Sequence, residues 1–162
     1  MGTVNSSRGD LTAGELKFAI VAARFNEDIV GALLDGALAA FKAQGAADAN
    51  ITVVRVPGAF ELPLIVSKLA ATGRYDAVVA LGAVIRGGTP HFEYVCHEAA
   101  SGLTRAALDH GVPVVFGVLT TDNLAQAQER AGPGTDNKGA EAALVAIEMA
   151  NLVRSISTQR DK

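Results

Sequence analysis

Four runs rich in Val and Ile, each followed by a longer stretch with helical spacing, leave this 162-residue chain few architectures. The runs cover residues 16–23, 51–56, 77–85 and 114–120. After the first, Ile29, Val30, Leu33, Leu34, Ala37, Leu38 and Phe41 recur at three- and four-residue spacing, which predicts a helix over about 28–44 closed by Gly45. The second run leads through Pro57-Gly58 into a helix ending near Thr72-Gly73. The third leads into a helix over about 90–109, with Gly111 beyond it. The fourth precedes a short helix near 124–131, and a last helix over about 138–157 carries Val145, Met149, Leu152 and Ile156 along one side. Strands apolar on both faces and separated by helices indicate a parallel sheet covered on both sides, with right-handed crossovers. The expectation is an α/β three-layer sandwich on a four-stranded parallel sheet. It forms one domain, 15–158, between a flexible N-terminal tail, 1–14, and a C-terminal tail, 159–162.

Composition narrows the function classes. The length suffices for a core that stands without disulfides or metals. With 14 Lys and Arg against 17 Asp and Glu, nothing favours nucleic acid as a partner, since that would call for clustered positive charge. The single cysteine, Cys96, forms no internal disulfide and fits a reducing cytoplasm. Counting glycine and omitting tyrosine, about 58% of the residues are apolar, against roughly 45–50% in ordinary soluble domains. That excess points to a surface partly covered by other subunits. No membrane segment is expected: the longest strongly apolar stretch, 77–85, is far short of the roughly 20 residues a helix needs to span a bilayer. The N-terminus lacks the apolar core of a secretory signal. It matches a myristoylation pattern at Gly2 and Ser6, a pattern common by chance, and reads better as a polar tail.

In open parallel sheets, ligands bind beyond the carboxyl ends of the strands. Residues 24–26, 58–61, 86–91 and 120–123 follow the four runs and carry polar or aromatic groups that a structural turn does not need. The third segment is the richest. Gly87 and Gly88 let the backbone approach a ligand, Thr89 can cap the next helix, and Pro90 suits its first turn. Free N–H groups at that helix start favour phosphate or another anion, although an ordinary glycine turn has the same look. His91, inside the first turn, has the chemistry to pass protons near neutral pH. Alone it would read as an exposed or capping histidine; its place beside an anion site favours the catalytic role. His97 and His110 lack that setting.

Phe25 directly follows a strand among polar residues, so its ring either stacks on a heteroaromatic substrate or tucks under the loop. Glu61, near a helix start, binds hydroxyls or only complements the helix dipole. Arg130 and Lys138 flank a stretch read as flexible, 131–137, and as a pair they suit an anion. No Walker-type loop, dinucleotide fingerprint, Cys/His metal spacing or G-x-S-x-G elbow is present.

Taken together these segments closely resemble lumazine synthases. The matching pieces are RFN at 24–26, GAFELP at 58–63, ALGAVIRGGTPHFEYVC at 80–96, FGVLTTDN at 116–123, ERAG at 129–132 and NKGAE at 137–141, in family order across about 15–157. The resemblance implies a flavodoxin-like sheet in strand order 2-1-3-4 and a homopentamer with active sites between neighbouring subunits. It implies two small-molecule substrates, 5-amino-6-(D-ribitylamino)uracil and 3,4-dihydroxy-2-butanone 4-phosphate, and no cofactor. Carried over residue by residue, Phe25 stacks on the pyrimidine, Ala59 and Glu61 hold the ribityl chain, and Ala83, Val84 and Ile85 meet pyrimidine or ribityl through backbone groups. Gly88 and Thr89 donate to phosphate, and His91 shuttles protons. From the adjacent subunit Phe116 covers the ring, Arg130 pairs with phosphate, and Lys138 assists near the pyrimidine.

The linker at 131–136 is short, which allows a 60-subunit shell of pentamers, though Pro133 and Asp136 depart from the family's usual pattern there. Two rival functions share the fold: a non-catalytic flavin- or lumazine-binding or shell-forming relative, and a flavodoxin-type electron carrier. Intact Phe25, His91, Arg130 and Lys138 argue against the first; RFNED after the first strand, not a Ser/Thr-rich phosphate loop, argues against the second.

Overall fold

The computed structural model describes residues 2–133 and 136–159. In chain order the elements are β1 (Phe18–Ala23), α1 (Glu27–Ala43), β2 (Ile51–Val56), α2 (Leu62–Ala71), β3 (Ala77–Ile85), α3 (His91–His110), β4 (Val114–Thr121), α4 (Leu124–Arg130) and α5 (Lys138–Thr158). Short 3-10 turns at Asp48–Asn50 and Ala59–Glu61 lead into β2 and α2. The strands form one parallel sheet in the order β2-β1-β3-β4. That order and the three layers agree with the expected sandwich.

Alternation along the strands divides the core in two. Phe18, Ile20 and Ala22 of β1 and Val79, Leu81 and Ala83 of β3 face α1 and α5. Ala19, Val21 and Ala23, with Val78 and Ala80, face α2 and α3. Successive side chains of a strand point to opposite faces, so a strand buried on both sides needs an unbroken apolar run, and all six β1 residues are buried. β2 departs from that expectation. It lies at the sheet edge, where Thr52, Val53 and Arg55 are exposed.

The helix ends follow their local chemistry. Gly45 after α1 and Gly111 after α3 take positive φ, where a side chain would strain the backbone. The final helix turns its larger side chains outward. Val145, Met149 and Ile156 are exposed, and α5 buries Ala142, Ala143, Ala146, Ile147 and Ala150 instead. Small residues let α5 lie close against α1: a Cβ on Gly139 would fall 1.9 Å from the Leu33 carbonyl oxygen. The outward stripe of larger side chains is left for something else to cover.

Ahead of β1 the chain is attached to α5. Asn151 Nδ2 donates to the carbonyls of Asp10 and Thr12 at 2.7 and 3.0 Å, and Ala13 is buried. Residues 160–162 of the expected C-terminal tail, Gly134 and Thr135 of the linker, and Met1 lie outside the described residues. Among those described, no helix is long and apolar enough to cross a membrane.

Gly139→Ala is expected to lower stability by about 3 kcal/mol, the upper end of overpacking costs, because the clash is with backbone. Thermal or urea unfolding measures it, and a loss within experimental error would contradict the close α1–α5 contact.

Candidate active site

A parallel sheet brings the carboxyl ends of all its strands to one edge, and local bonds join the loops there. The ladder runs past the strand ends: Arg24 N–H donates to Val56 C=O at 2.8 Å, and Phe25 N–H to Pro57 C=O at 2.9 Å. Asn26 then takes the left-handed conformation, φ 59°, which an asparagine tolerates better than most side chains. Its Nδ2 donates to the Ala83 carbonyl of β3 at 2.8 Å. The first loop is thereby fixed over the middle of the sheet.

The resulting cleft has a volume of about 660 Å³. Phe25, Ala59, Glu61, Ala83, Val84, Ile85, Thr89 and His91 all line it. Gly88 sits between two lining residues, Gly87 and Thr89. Phe25 is 72% exposed, which settles its two readings in favour of a ring standing free at the strand end. Gly58 makes room for the carboxylate below it, since a Cβ there would lie 3.3 Å from Glu61 Oε2. Cβ atoms on Gly87 and Gly88 would meet open space, so packing does not demand glycine at either position. Gly87 leaves bare backbone facing the cavity.

One expectation needs correcting. Thr89 does not cap α3; the N-cap is Pro90, with no side-chain bond to the first turn. Thr89 lines the cleft instead, and the helix start is secured by charge. Arg86 Nε donates to Asp122 Oδ1 at 3.0 Å and another guanidinium nitrogen donates to Glu93. The same guanidinium lies 4.3 Å from the Phe92 ring centroid. Arg86 thus connects the end of β3, the loop after β4 and the first turn of α3. Hydrogen bonding to Arg86 holds the Glu93 carboxyl below its ordinary value, and the guanidinium is pushed higher still by Glu93 and Asp122.

Phe116, Arg130 and Lys138 line a second cleft of about 420 Å³ beside the edge strand β4, with Glu141 and Val145. No residue lines both clefts. A shallower groove along α3 meets the first at Phe92 and Tyr94 and the second at Phe116 and Thr120. Lys138 Nζ pairs with Glu141 at 2.7 Å, and Arg130 donates to the Gln126 carbonyl at 2.9 Å. The linker, read from sequence as flexible, is pinned at its described ends through Asn137. The expected site residues are therefore divided between two clefts.

Sequence reasoning missed Phe60 and Tyr94, both in the first lining and well exposed. Tyr94 stands three residues after His91, one helical turn, and that spacing was the available signal. Burial raises the Cys96 thiol above its ordinary value of 9.0, which disfavours the nucleophilic thiolate. His110, at the far end of α3, bonds Ser67 Oγ at 3.0 Å. A larger groove of about 810 Å³ between α1 and α5 offers no aromatic ring, histidine or cation, and so no comparable chemistry.

A family model described as 6,7-dimethyl-8-ribityllumazine synthase matches residues 15–154. A protein of Desulfovibrio desulfuricans named 6,7-dimethyl-8-ribityllumazine synthase is 53% identical over 156 residues, spanning 96% of this chain and 100% of that protein.

A carboxylate whose pKa is depressed in the folded state stabilises above its unfolded value and loses that contribution as pH falls through the folded one. For Glu93 the contribution is complete above 4.5 and fades below it. Melting temperatures between roughly pH 6 and pH 3 are expected to fall more steeply for the unaltered protein than for Glu93→Gln. Parallel curves would show that the Arg86 link carries no folding energy.

Proposed function

We propose that this chain, which belongs to the 6,7-dimethyl-8-ribityllumazine synthase family, catalyses the condensation for which that family is named. It joins 5-amino-6-(D-ribitylamino)uracil to 3,4-dihydroxy-2-butanone 4-phosphate and releases 6,7-dimethyl-8-ribityllumazine, phosphate and water, the step before riboflavin. The pyrimidine amine attacks the ketone and loses water to give an imine. Phosphate leaves, and the second nitrogen closes the ring with loss of another water.

The observation that carries the site assignment is complementarity between the two clefts. The first offers an aromatic shelf, bare backbone, a threonine and a histidine, yet no Lys or Arg lines it. The second offers Arg130 and Lys138 beside Phe116 and no histidine. A phosphate ester carries close to two negative charges at neutral pH and is held best by a planar guanidinium. Each half supplies what the other lacks. A neighbouring copy whose second cleft closes over the first completes the site, and a head-to-tail contact of that kind closes into a ring. The exposed α5 stripe, Val145, Met149 and Ile156, supplies apolar surface for such a contact. The ring is a homopentamer, and the short linker favours a shell of such pentamers. The reducing environment that suits a lone cysteine, Cys96, supports a cytoplasmic location.

In the completed site Phe25 stacks on the pyrimidine and Phe116 of the neighbour covers it. Glu61 accepts from the ribityl hydroxyls beside Ala59, and backbone groups of Ala83, Val84 and Ile85 read the ring edge. Gly88 and Thr89 donate to phosphate from one side, and Arg130 of the neighbour pairs with it from the other, with Lys138 nearer the pyrimidine. His91 moves protons between nitrogen, leaving hydroxyl and solvent. Much of the acceleration comes from holding two reactants in one orientation, worth roughly 7–11 kcal/mol where alignment is good. One histidine and no cofactor then suffice.

Mixing the two substrates with the protein is expected to produce lumazine fluorescence. A protein that binds flavin or lumazine without producing that signal would instead be the non-catalytic relative. His91→Ala should lower kcat about 100-fold and leave the assembly's mass by light scattering unchanged; an unaltered kcat removes histidine from the mechanism. Arg130→Ala should raise the KM for the phosphate-bearing substrate about tenfold or more, with a smaller change for the pyrimidine. Co-refolding equal amounts of the two variants should restore roughly a quarter of the sites, because a shared site then draws intact halves from different chains. No recovery would mean that each chain builds its site alone.

A further inference from the structure

Between Arg130, the last residue of α4, and Lys138, the first of α5, lies a side chain with no part in the reaction above. Asn137 is 4% exposed. Its Oδ1 accepts from the N–H groups of Gly139 and Ala140 at 2.8 and 3.1 Å, which caps α5. Its Nδ2 faces three carbonyls: Ala32 of α1 at 3.0 Å, Gly132 at 3.1 Å and Ala131 at 3.4 Å. An amide nitrogen has two hydrogens, so two bonds are full and the longest is shared. With N–H groups on one side and carbonyls on the other, a flipped amide would lose every bond. Room for the group depends on α1, where a Cβ on Gly36 would lie 2.2 Å from Oδ1.

One carboxamide therefore joins α1, the two residues that follow Arg130, and the start of α5. We infer that Asn137 is a positioning residue for the phosphate half of the site, fixing where α4 ends and so where Arg130 points. The inference rests on the phosphate role proposed for Arg130. A guanidinium binds phosphate through directed, paired N–H bonds, and displacement by about 1 Å is costly when the partner atoms come from another subunit. A surface loop would not hold Arg130 that closely; a buried amide bonded to the two adjacent carbonyls does.

Asn137→Asp is the sharpest test. The carboxylate keeps the acceptor that caps α5, and Lys138 with it, but loses both donors and faces the Ala131 and Gly132 carbonyls with negative charge. Asn137→Ser is a milder change that keeps a cap. KM is a property of folded assemblies, so partial misfolding lowers the apparent kcat and leaves KM as it is. Both Asn137 variants are expected to raise the KM for 3,4-dihydroxy-2-butanone 4-phosphate about threefold to tenfold and to change that for the pyrimidine little. An unchanged phosphate-substrate KM, or equal rises for both substrates, overturns the positioning role. Arg130→Ala in the same assay separates the two readings. If it raises the phosphate-substrate KM and the Asn137 variants do not, only this inference fails; if it has no effect, the phosphate role of Arg130 fails as well.

Discussion

The parallel ladder of β1, β3 and β4 is the constraint on which the other features depend. Because every strand runs the same way, every strand must be followed by a crossover, and all the carboxyl ends meet at one edge. Both faces of the inner strands must then be dry, which accounts for the unbroken apolar runs and for the two cores on either side. The same geometry gathers Phe25, Glu61, Thr89 and His91, which lie far apart in sequence, around one cleft. Nothing in that cleft needs a long-range device beyond the sheet, apart from two short connections. Asn26 reaches to Ala83, and Arg86 reaches to Glu93 and Asp122.

The edge strands carry the remaining consequences. β4 has no strand beyond it, and the cations beside it, Arg130 and Lys138, come from helices that leave the sheet and return. Neither of them lines the first cleft. In the proposed site, this division makes assembly a condition of the chemistry. It also separates the charges, since the cleft that would hold the pyrimidine has no cation of its own to attract phosphate. Such a division places a premium on rigid placement of each half. The described ends of the α4–α5 connection are held by the Asn137 amide.

Much of this was legible before any coordinates. The two inner runs were recognisable because burial on both faces erases the usual alternation, and β2 and β3 begin and end where their apolar runs do. Phe25, Glu61, Thr89 and His91, picked out at the strand ends, line one cleft because the rule about strand ends is topological, and Ala59, Ala83, Val84 and Ile85, expected from the family resemblance, line it with them. One reading failed and one pattern left the packing open, for the same physical reason: local pattern cannot see a competing partner. Thr89 has the chemistry of a cap, but the turn closes on Pro90 and Arg86 takes over the anchoring. On α5 the larger side chains form a stripe, but alanines win the contact with α1 because close backbone approach excludes anything bigger.

The amino-acid order alone determined the class of sheet, the number of strands, the strand-end segments that are candidates for the chemistry and, through the similarity of those segments to a known family, the reaction. These depend on burial and on backbone direction, which hydrophobic pattern and glycine placement encode locally. Only the folded chain decided that the candidate residues fall into two clefts, that Asn137 is the junction between α1, α4 and α5, and which side of the last helix is left bare. Those outcomes turn on distances of a few ångströms between elements remote in sequence, and no local pattern records such distances.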